Sequence, residues 1–375
     1  MKKVFSILLT LVVMIGGLSF TSCEEPEVVG KLELTVSKRL MVADGNDEVI
    51  LTAISGDVDV TEEALFYVNN TPMSSNVFTT VKAGDYKFFA SYKGDLSNQV
   101  TVKAASPALY IAVPEDSEPE NFSGFQRKVL LTEATGTWCG YCPNMIAALE
   151  YFSENYSNAS NTIVVATHNN DELSNDASEA VIKAITTNMT VEEQRGFGLP
   201  SCFVNFEPST QVGTRLSVNI DAENLNSMVN MELKGTARVG IATATVASAD
   251  NSIVGVRAAV KVGKAGSYRI NAWLIEDGVS AYQSNAGVIK HMHILRGASS
   301  VSPIQGQLLG EKESCAAGDV IDFYYEFNTK EHKIANVKNC KVAVLVTAGS
   351  GSASKFFVNN IVECAVGESV PFAYN

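Results

Sequence analysis

The sequence predicts a multidomain chain in which one α/β unit sits between two all-β units, and three observations predict it. Residues 31–105 alternate apolar and polar side chains in short runs, residues 126–235 switch to helical spacing between β-branched segments, and residues 236–375 return to alternation. At 375 residues the chain exceeds one ordinary core, so two or three domains are expected. No fixed-period repeat points to a solenoid. Apolar residues make up 46% of the chain and charged ones 18%, the balance of a folded protein whose disorder is confined to linkers.

Residues 1–22 read as a targeting segment. Lys2 and Lys3 precede an apolar run from Val4 to Phe20, and Ser19, Thr21 and Ser22 supply small residues before Cys23. This placement resembles a bacterial lipoprotein lipobox, with Phe20 where such boxes usually carry Leu. On that resemblance Cys23 is the lipidation site and residues 23–30 form an acidic tether. An uncleaved anchor and a plain signal with an incidental cysteine stand as alternatives. Removing Lys2 and Lys3 takes the formal charge from -13 to -15, which disfavours nucleic acid as a partner and a basic patch as the membrane contact. The membrane link is then the lipid on Cys23. Glu24, Glu25 and Glu27 resemble the export signal of some Gram-negative lipoproteins, which implies the outer membrane, on its periplasmic or its surface side.

In residues 31–105 the runs Leu32/Leu34/Val36 and Tyr86/Phe88/Ala90/Tyr92, with turns at Asp44-Gly45-Asn46 and Lys93-Gly94-Asp95, predict an immunoglobulin-like β-sandwich. Tyr86, at the entry to a late strand, sits where a tyrosine corner is expected. Residues 106–125 carry Pro107, Pro114 and Pro119 among acidic side chains and read as an exposed linker.

The α/β unit, residues 126–235, is expected to run β-α-β-α-β-β-α. Strands are predicted at Lys128–Ala134, Thr162–Thr167, Ser201–Phe206 and near Gln211, and helices over Cys142–Tyr156, Ser174–Thr187 and Asp221–Leu233. Residues 236–375 hold seven candidate strands, Arg238–Ala247, Ile253–Val262, Tyr268–Glu276, His291–Leu295, Val320–Phe327, Lys341–Val346 and Lys355–Ile361, which predict a second, separate β-sandwich.

Chemistry concentrates at Cys139-Gly140-Tyr141-Cys142. The nucleophile in disulfide exchange is the thiolate, and an ordinary cysteine near pKa 8.5 is only a few per cent ionised at neutral pH. A helix amino terminus favours the anion through its unpaired N–H groups and dipole. Lowering the pKa by about 1.5 units takes roughly 2 kcal/mol. Cys142, one turn on, is placed to resolve a mixed disulfide, and Pro143 fits a first helical turn. Zinc normally asks for a second close Cys or His pair, and His291 and His293 lie far downstream, so no metal and no cofactor are expected. A structural disulfide remains the main alternative. Of the other cysteines, Cys202 reads as a buried small hydrophobe, and Cys202, Cys315, Cys340 and Cys364 allow three pairings. His168, at the end of the second strand, reads as a loop residue.

Trp138 before Cys139, Glu133 on the preceding strand, and Leu199-Pro200 downstream together resemble the thioredoxin family. The resemblance covers Lys128 to Leu233 and implies a thioredoxin-like domain. It gives Glu133 a proton-relay role, Pro200 the place of a cis-proline facing the cysteines, and Trp138, Tyr141 and Leu199 a place along the substrate groove. A solvent-facing Glu133 and a trans Pro200 are the alternatives. The Gly140-Tyr141 pair is similar to that of periplasmic isomerases. Over residues 126–375 the chain also resembles the outer-membrane-protein-28-related lipoproteins, through Thr137-Trp138-Cys139-Gly140-Tyr141-Cys142-Pro143 and His291-Met292-His293-Ile294-Leu295-Arg296-Gly297. That second resemblance implies a location and no substrate.

The expected function is therefore an exported, lipid-anchored thiol-disulfide oxidoreductase or isomerase acting on exported protein thiols or disulfides, small thiols, or a redox partner. The rival expectation is a surface binding or adhesion lipoprotein in which a thioredoxin-like domain is scaffold and the disulfide is structural.

Overall fold

A computed structural model describes residues 31–120, 122–213, 217–349 and 356–375. The leader, Cys23 and the tether lie outside them. The described chain is β-rich, with four α-helices among the described residues.

Residues 32–105 form two facing sheets. One contains Leu32–Val36 and Val49–Ser55, and the other contains Val100–Ala105, Gly84–Tyr92 and Leu65–Val68. Alternation explains the layering: Leu32 and Leu34 are buried while Glu33 and Thr35 are exposed. With Met41, Leu51, Phe66, Phe88 and Val102 they make a core that needs no cysteine. The Tyr86 hydroxyl donates to the Lys82 carbonyl at 2.8 Å, which closes the corner expected there. Tyr268 repeats the device downstream, donating to the Lys264 carbonyl at 2.5 Å.

Residues 106–125 are not the exposed linker expected from their prolines and acids. Leu109 and Phe125 are buried, and Asp116 accepts from the Lys261 ammonium at 2.8 Å. Lys261 lies at 2% exposure on an apolar strand, over the Phe122 and Tyr374 rings. A buried ammonium needs a counter-charge, and the connecting segment supplies it. The segment is thereby strapped to the C-terminal sheet.

The central unit begins with Val129–Thr135, paired in parallel with Thr162–His168 and antiparallel with Ser201–Val204, which in turn pairs antiparallel with Val212–Gly213. Helices Cys142–Asn155 and Val218–Leu233 cover one face through Met145, Ala148, Phe152, Leu225 and Val229. Helix Asp176–Thr187 covers the other through Val181, Ile182 and Ile185. A short helix, Val191–Gly196, was not expected; the Thr190/Glu193 capping box starts it.

The expected division at residue 235/236 is not a division of sheets. Strand Thr162–His168 pairs in parallel with Ile294–Ala298 at Ala166↔Ile294, and the sheet continues through Tyr268–Glu276, Cys340–Gly349 and Phe356–Ala365. Nine strands of the described residues share it. On one face Trp273, Ile275 and Leu345 join the core under helix Asp176–Thr187. On the other, Ile270, Ala272, Leu274 and Val344 pack against the four-stranded sheet built from Val320–Asn328, Ile253–Val262, Val239–Ala247 and Ser369–Val370. A two-sheet sandwich is present, but one of its sheets belongs equally to the α/β unit. Burial on both faces is why the middle of Tyr268–Glu276, Ala272 to Ile275, is an unbroken apolar run.

Candidate functional site

The first central strand ends at Thr135, and the chain turns through Gly136 and Thr137 into helix Cys142–Asn155. Cys139 and Cys142 are joined as a disulfide at the amino end of that helix. Pro143 falls in the first turn, where its missing N–H leaves no bond unmade. Cys142 is fully buried and Cys139 is 5% exposed. Trp138 just before the pair and Tyr141 between its two cysteines are exposed. The Trp138 indole N–H donates to the Asn169 carbonyl at 2.9 Å, which fixes the ring beside the turn.

Glu133 lies on the strand beneath, in register with Ala166 on one side and Cys202 on the other. It is buried, and its Oε1 has no partner among the described residues. Burial pushes its carboxyl up to about 7. It lines a cavity of about 340 Å³ with Thr135, His168, His291 and Lys341. The Cys202 thiol is pushed up by burial and by the neighbouring Glu133, so it stays an unreactive thiol. Cys315, Cys340 and Cys364 are also buried and free.

The Leu199–Pro200 peptide is cis. Both residues line a groove of about 520 Å³ with Tyr141, Ser201, Gln211 and Gly213. The exposed Tyr141 thus brings the cysteine motif and the proline segment, 59 residues apart in the chain, to one cleft.

His168 is not a loop residue. It is the last residue of its strand, buried, with Nδ1 at 2.7 Å from Asp171 Oδ2. The same carboxylate oxygen accepts from the Thr137 N–H at 2.7 Å, and Oδ1 accepts from Leu173 and Ser174 at 2.9 Å each. Burial would raise the Asp171 carboxyl, but the His168 contact and the backbone donors outweigh it and hold the carboxyl low. Asp171 therefore ties the cysteine turn to the end of the second strand. A lone Asp in a polar loop carries no sequence signal for that role.

His291 stacks edge-on against His168 at 5.2 Å and is lowered to about 4, first by burial and then by His168, so the ring is neutral at pH 7. His293 has φ +59° and donates its N–H to Asp277 at 2.6 Å. The expected strand His291–Leu295 is accordingly split there into Gly287–His291 and Ile294–Ala298. Arg296 is buried against Glu276, and Gly297 leaves the space taken by the His332 ring, 2.4 Å from where a Cβ would stand. The segment His291–Gly297 is the seam that joins the α/β unit to the C-terminal strands. Among the described residues no three His, Cys, Asp or Glu side chains gather to hold a metal, and no described helix is long and apolar enough to cross a membrane.

Residues 198–370 match the family described as outer membrane protein Omp28. The match begins beside the cis-proline and takes in the seam and the C-terminal strands, while residues 126–197 with the cysteine motif, which the resemblance in the sequence also covered, lie outside it. It places the chain at the outer membrane, the location expected from its leader and acidic tether. Among solved structures, HBP35 of Porphyromonas gingivalis aligns with a TM-score of 0.53 at 19% identity, over 66% of this chain and 78% of that one. At that identity the likeness speaks for the fold alone. A domain of the outer membrane lipoprotein Omp28 from Porphyromonas gingivalis aligns at 14% identity over 35% of this chain and 88% of that one, with a TM-score of 0.23, too low to inform the fold. No curated protein matches the chain.

Proposed function

We propose that this Omp28-like protein is a thioredoxin-type thiol-disulfide oxidoreductase of the cell envelope, anchored through lipid on Cys23 and acting on the thiols or disulfides of exported proteins or on small thiols. The observation that carries the reading is a cysteine pair at a helix amino terminus, with a buried carboxyl near neutrality on the strand that leads into it and with Tyr141 of the motif lining the Leu199/Pro200 groove. Support also comes from the four central strands, whose order and mixed directions suit a thioredoxin-like core.

In the reducing direction the Cys139 thiolate attacks one sulfur of a substrate disulfide. That S–S bond breaks, a mixed disulfide forms, and the first substrate thiolate leaves. Cys142 gives its proton to the Glu133 carboxylate and attacks the Cys139 sulfur, which releases the second substrate thiolate and forms the Cys139–Cys142 disulfide. Two electrons pass to the substrate, and a dithiol partner restores the pair. Oxidation runs the same steps backward. A group with a pKa near 7 exchanges its proton readily at the working pH, which is what burial provides at Glu133.

Insulin-disulfide reduction and refolding of a scrambled substrate test the proposal on wild type and Cys139→Ser. The wild-type protein should accelerate both reactions, and the variant should fall to the uncatalysed rate. Equal rates would remove the enzyme and leave a binding lipoprotein with a structural disulfide.

A further inference from the structure

Between Tyr268–Glu276 and Ile294–Ala298 the chain leaves the large sheet and makes a hairpin, Val279–Gln283 and Gly287–His291, whose strands pair, among the described residues, only with each other. A two-stranded hairpin is marginal in water by itself, so its seat comes from what it touches. It touches the cysteine turn. The Ser284 N–H donates to the Thr137 carbonyl at 2.8 Å. The Gln283 amide donates to the Gly136 and Cys139 carbonyls at 3.2 and 2.9 Å, and the Asn285 amide donates to the Gly140 carbonyl at 3.0 Å. A Cβ on Gly140 would stand 2.6 Å from the Asn285 amide nitrogen, so glycine at this place in the motif admits the hairpin.

The seat has a weak point. Gln283 is fully buried, yet its Oε1 has no partner among the described residues. A buried acceptor left unmet favours the open state, where water meets it. The outer residues Tyr282 and Val288 are exposed. At its foot the hairpin is held by Ala281 against Leu173 and Ile294, and by His291 against His168. An element with few buried apolar contacts and a hydrogen-bonded tip opens at a fraction of the cost of global unfolding.

We propose that the hairpin is a hinged strap over the cysteine turn, with Gln283 as the positioning residue, and that it restricts approach to Cys139 to the Pro200 groove. The substrates that reach the sulfur are then extended polypeptide segments carrying a disulfide, in preference to disulfides on compact folded domains. The substrate preference rests on the oxidoreductase reading; the strap itself does not.

The test uses the reduced full chain and reads the modification rate of Cys139 by mass spectrometry, with iodoacetamide as the small reagent and a polyethylene-glycol maleimide as the bulky one. Gln283→Ala should raise the bulky-to-small rate ratio roughly tenfold, the scale of one or two lost hydrogen bonds, and Asn285→Ala should raise it by less. Asn285 is exposed, so its variant decides the matter should Gln283→Ala not fold. Unchanged ratios in the folded variants, with Cys139 fast or inert throughout, would overturn the strap. A shifted ratio in a protein that reduces no insulin would keep the strap and remove the oxidoreductase reading.

Discussion

Between pH 5 and 8 the wild-type protein should lose on the order of 2–3 kcal/mol of unfolding free energy that a Glu133→Gln variant keeps. The carboxyl of Glu133 is raised from 4.5 to about 7 by burial. The folded state therefore holds this proton more tightly than the unfolded state. The stabilisation is complete below about pH 4.5 and is lost as pH rises through about 7, because ionising the side chain in its buried place costs more than ionising it in water. Glutamine keeps the shape and removes the charge. Urea unfolding at a series of pH values measures the slope difference. Parallel wild-type and variant curves would mean that the carboxyl is hydrated or paired. The group that sets this slope is also the proton acceptor for Cys142 in the proposed exchange, so the variant should slow turnover above all in the resolving step.

Replacing Arg296 with Met should destabilise the protein by about 3–5 kcal/mol. Glu276 is fully buried; its Oε2 lies 3.1 Å from Arg296 Nε, and its Oε1 accepts from the Ala335 and Asn336 N–H groups at 2.7 Å each. Arg296→Met leaves a carboxylate in the interior with no cation. The paired variant Glu276→Gln/Arg296→Met should recover much of the loss, since it removes both charges. The buried Trp273, three residues from Glu276 on the same strand, gives a fluorescence signal for the unfolding transition. A single variant as stable as wild type would show that the seam carries no buried ion pair.

Much of this architecture was legible in residue patterns. Period-two alternation located six of the seven candidate strands after residue 236, all but His291–Leu295, and helical spacing at Met145, Ala148, Leu149 and Phe152 located the helix behind the cysteines. The fusion of the two units was not legible. A single pairing, Ala166 with Ile294, makes it, and alternation reports which face of a strand is buried, never which strand lies alongside. The hairpin over the cysteine turn was missed because the alternation expected over His291–Leu295 runs through the left-handed turn at His293. The docked segment 106–125 looked like a linker because its acids and prolines signal exposure unless a buried cation such as Lys261 is known to face them. At the site, the cysteine pair, Glu133 and Pro200 carried local signals. Asp171 and Gln283 did not, since the bonds that tie each of them to the cysteine turn go to backbone groups distant in sequence.

The chemistry depends on whether the Cys139 sulfur is held as a reachable anion at the start of its helix. The pH dependence of iodoacetamide alkylation of the reduced chain, followed at Cys139 by mass spectrometry, measures this directly. The account predicts a midpoint near pH 7 or below, against about 8.5 for an ordinary cysteine. A midpoint at or above 8.5, or a sulfur that does not react in the native protein, would contradict it.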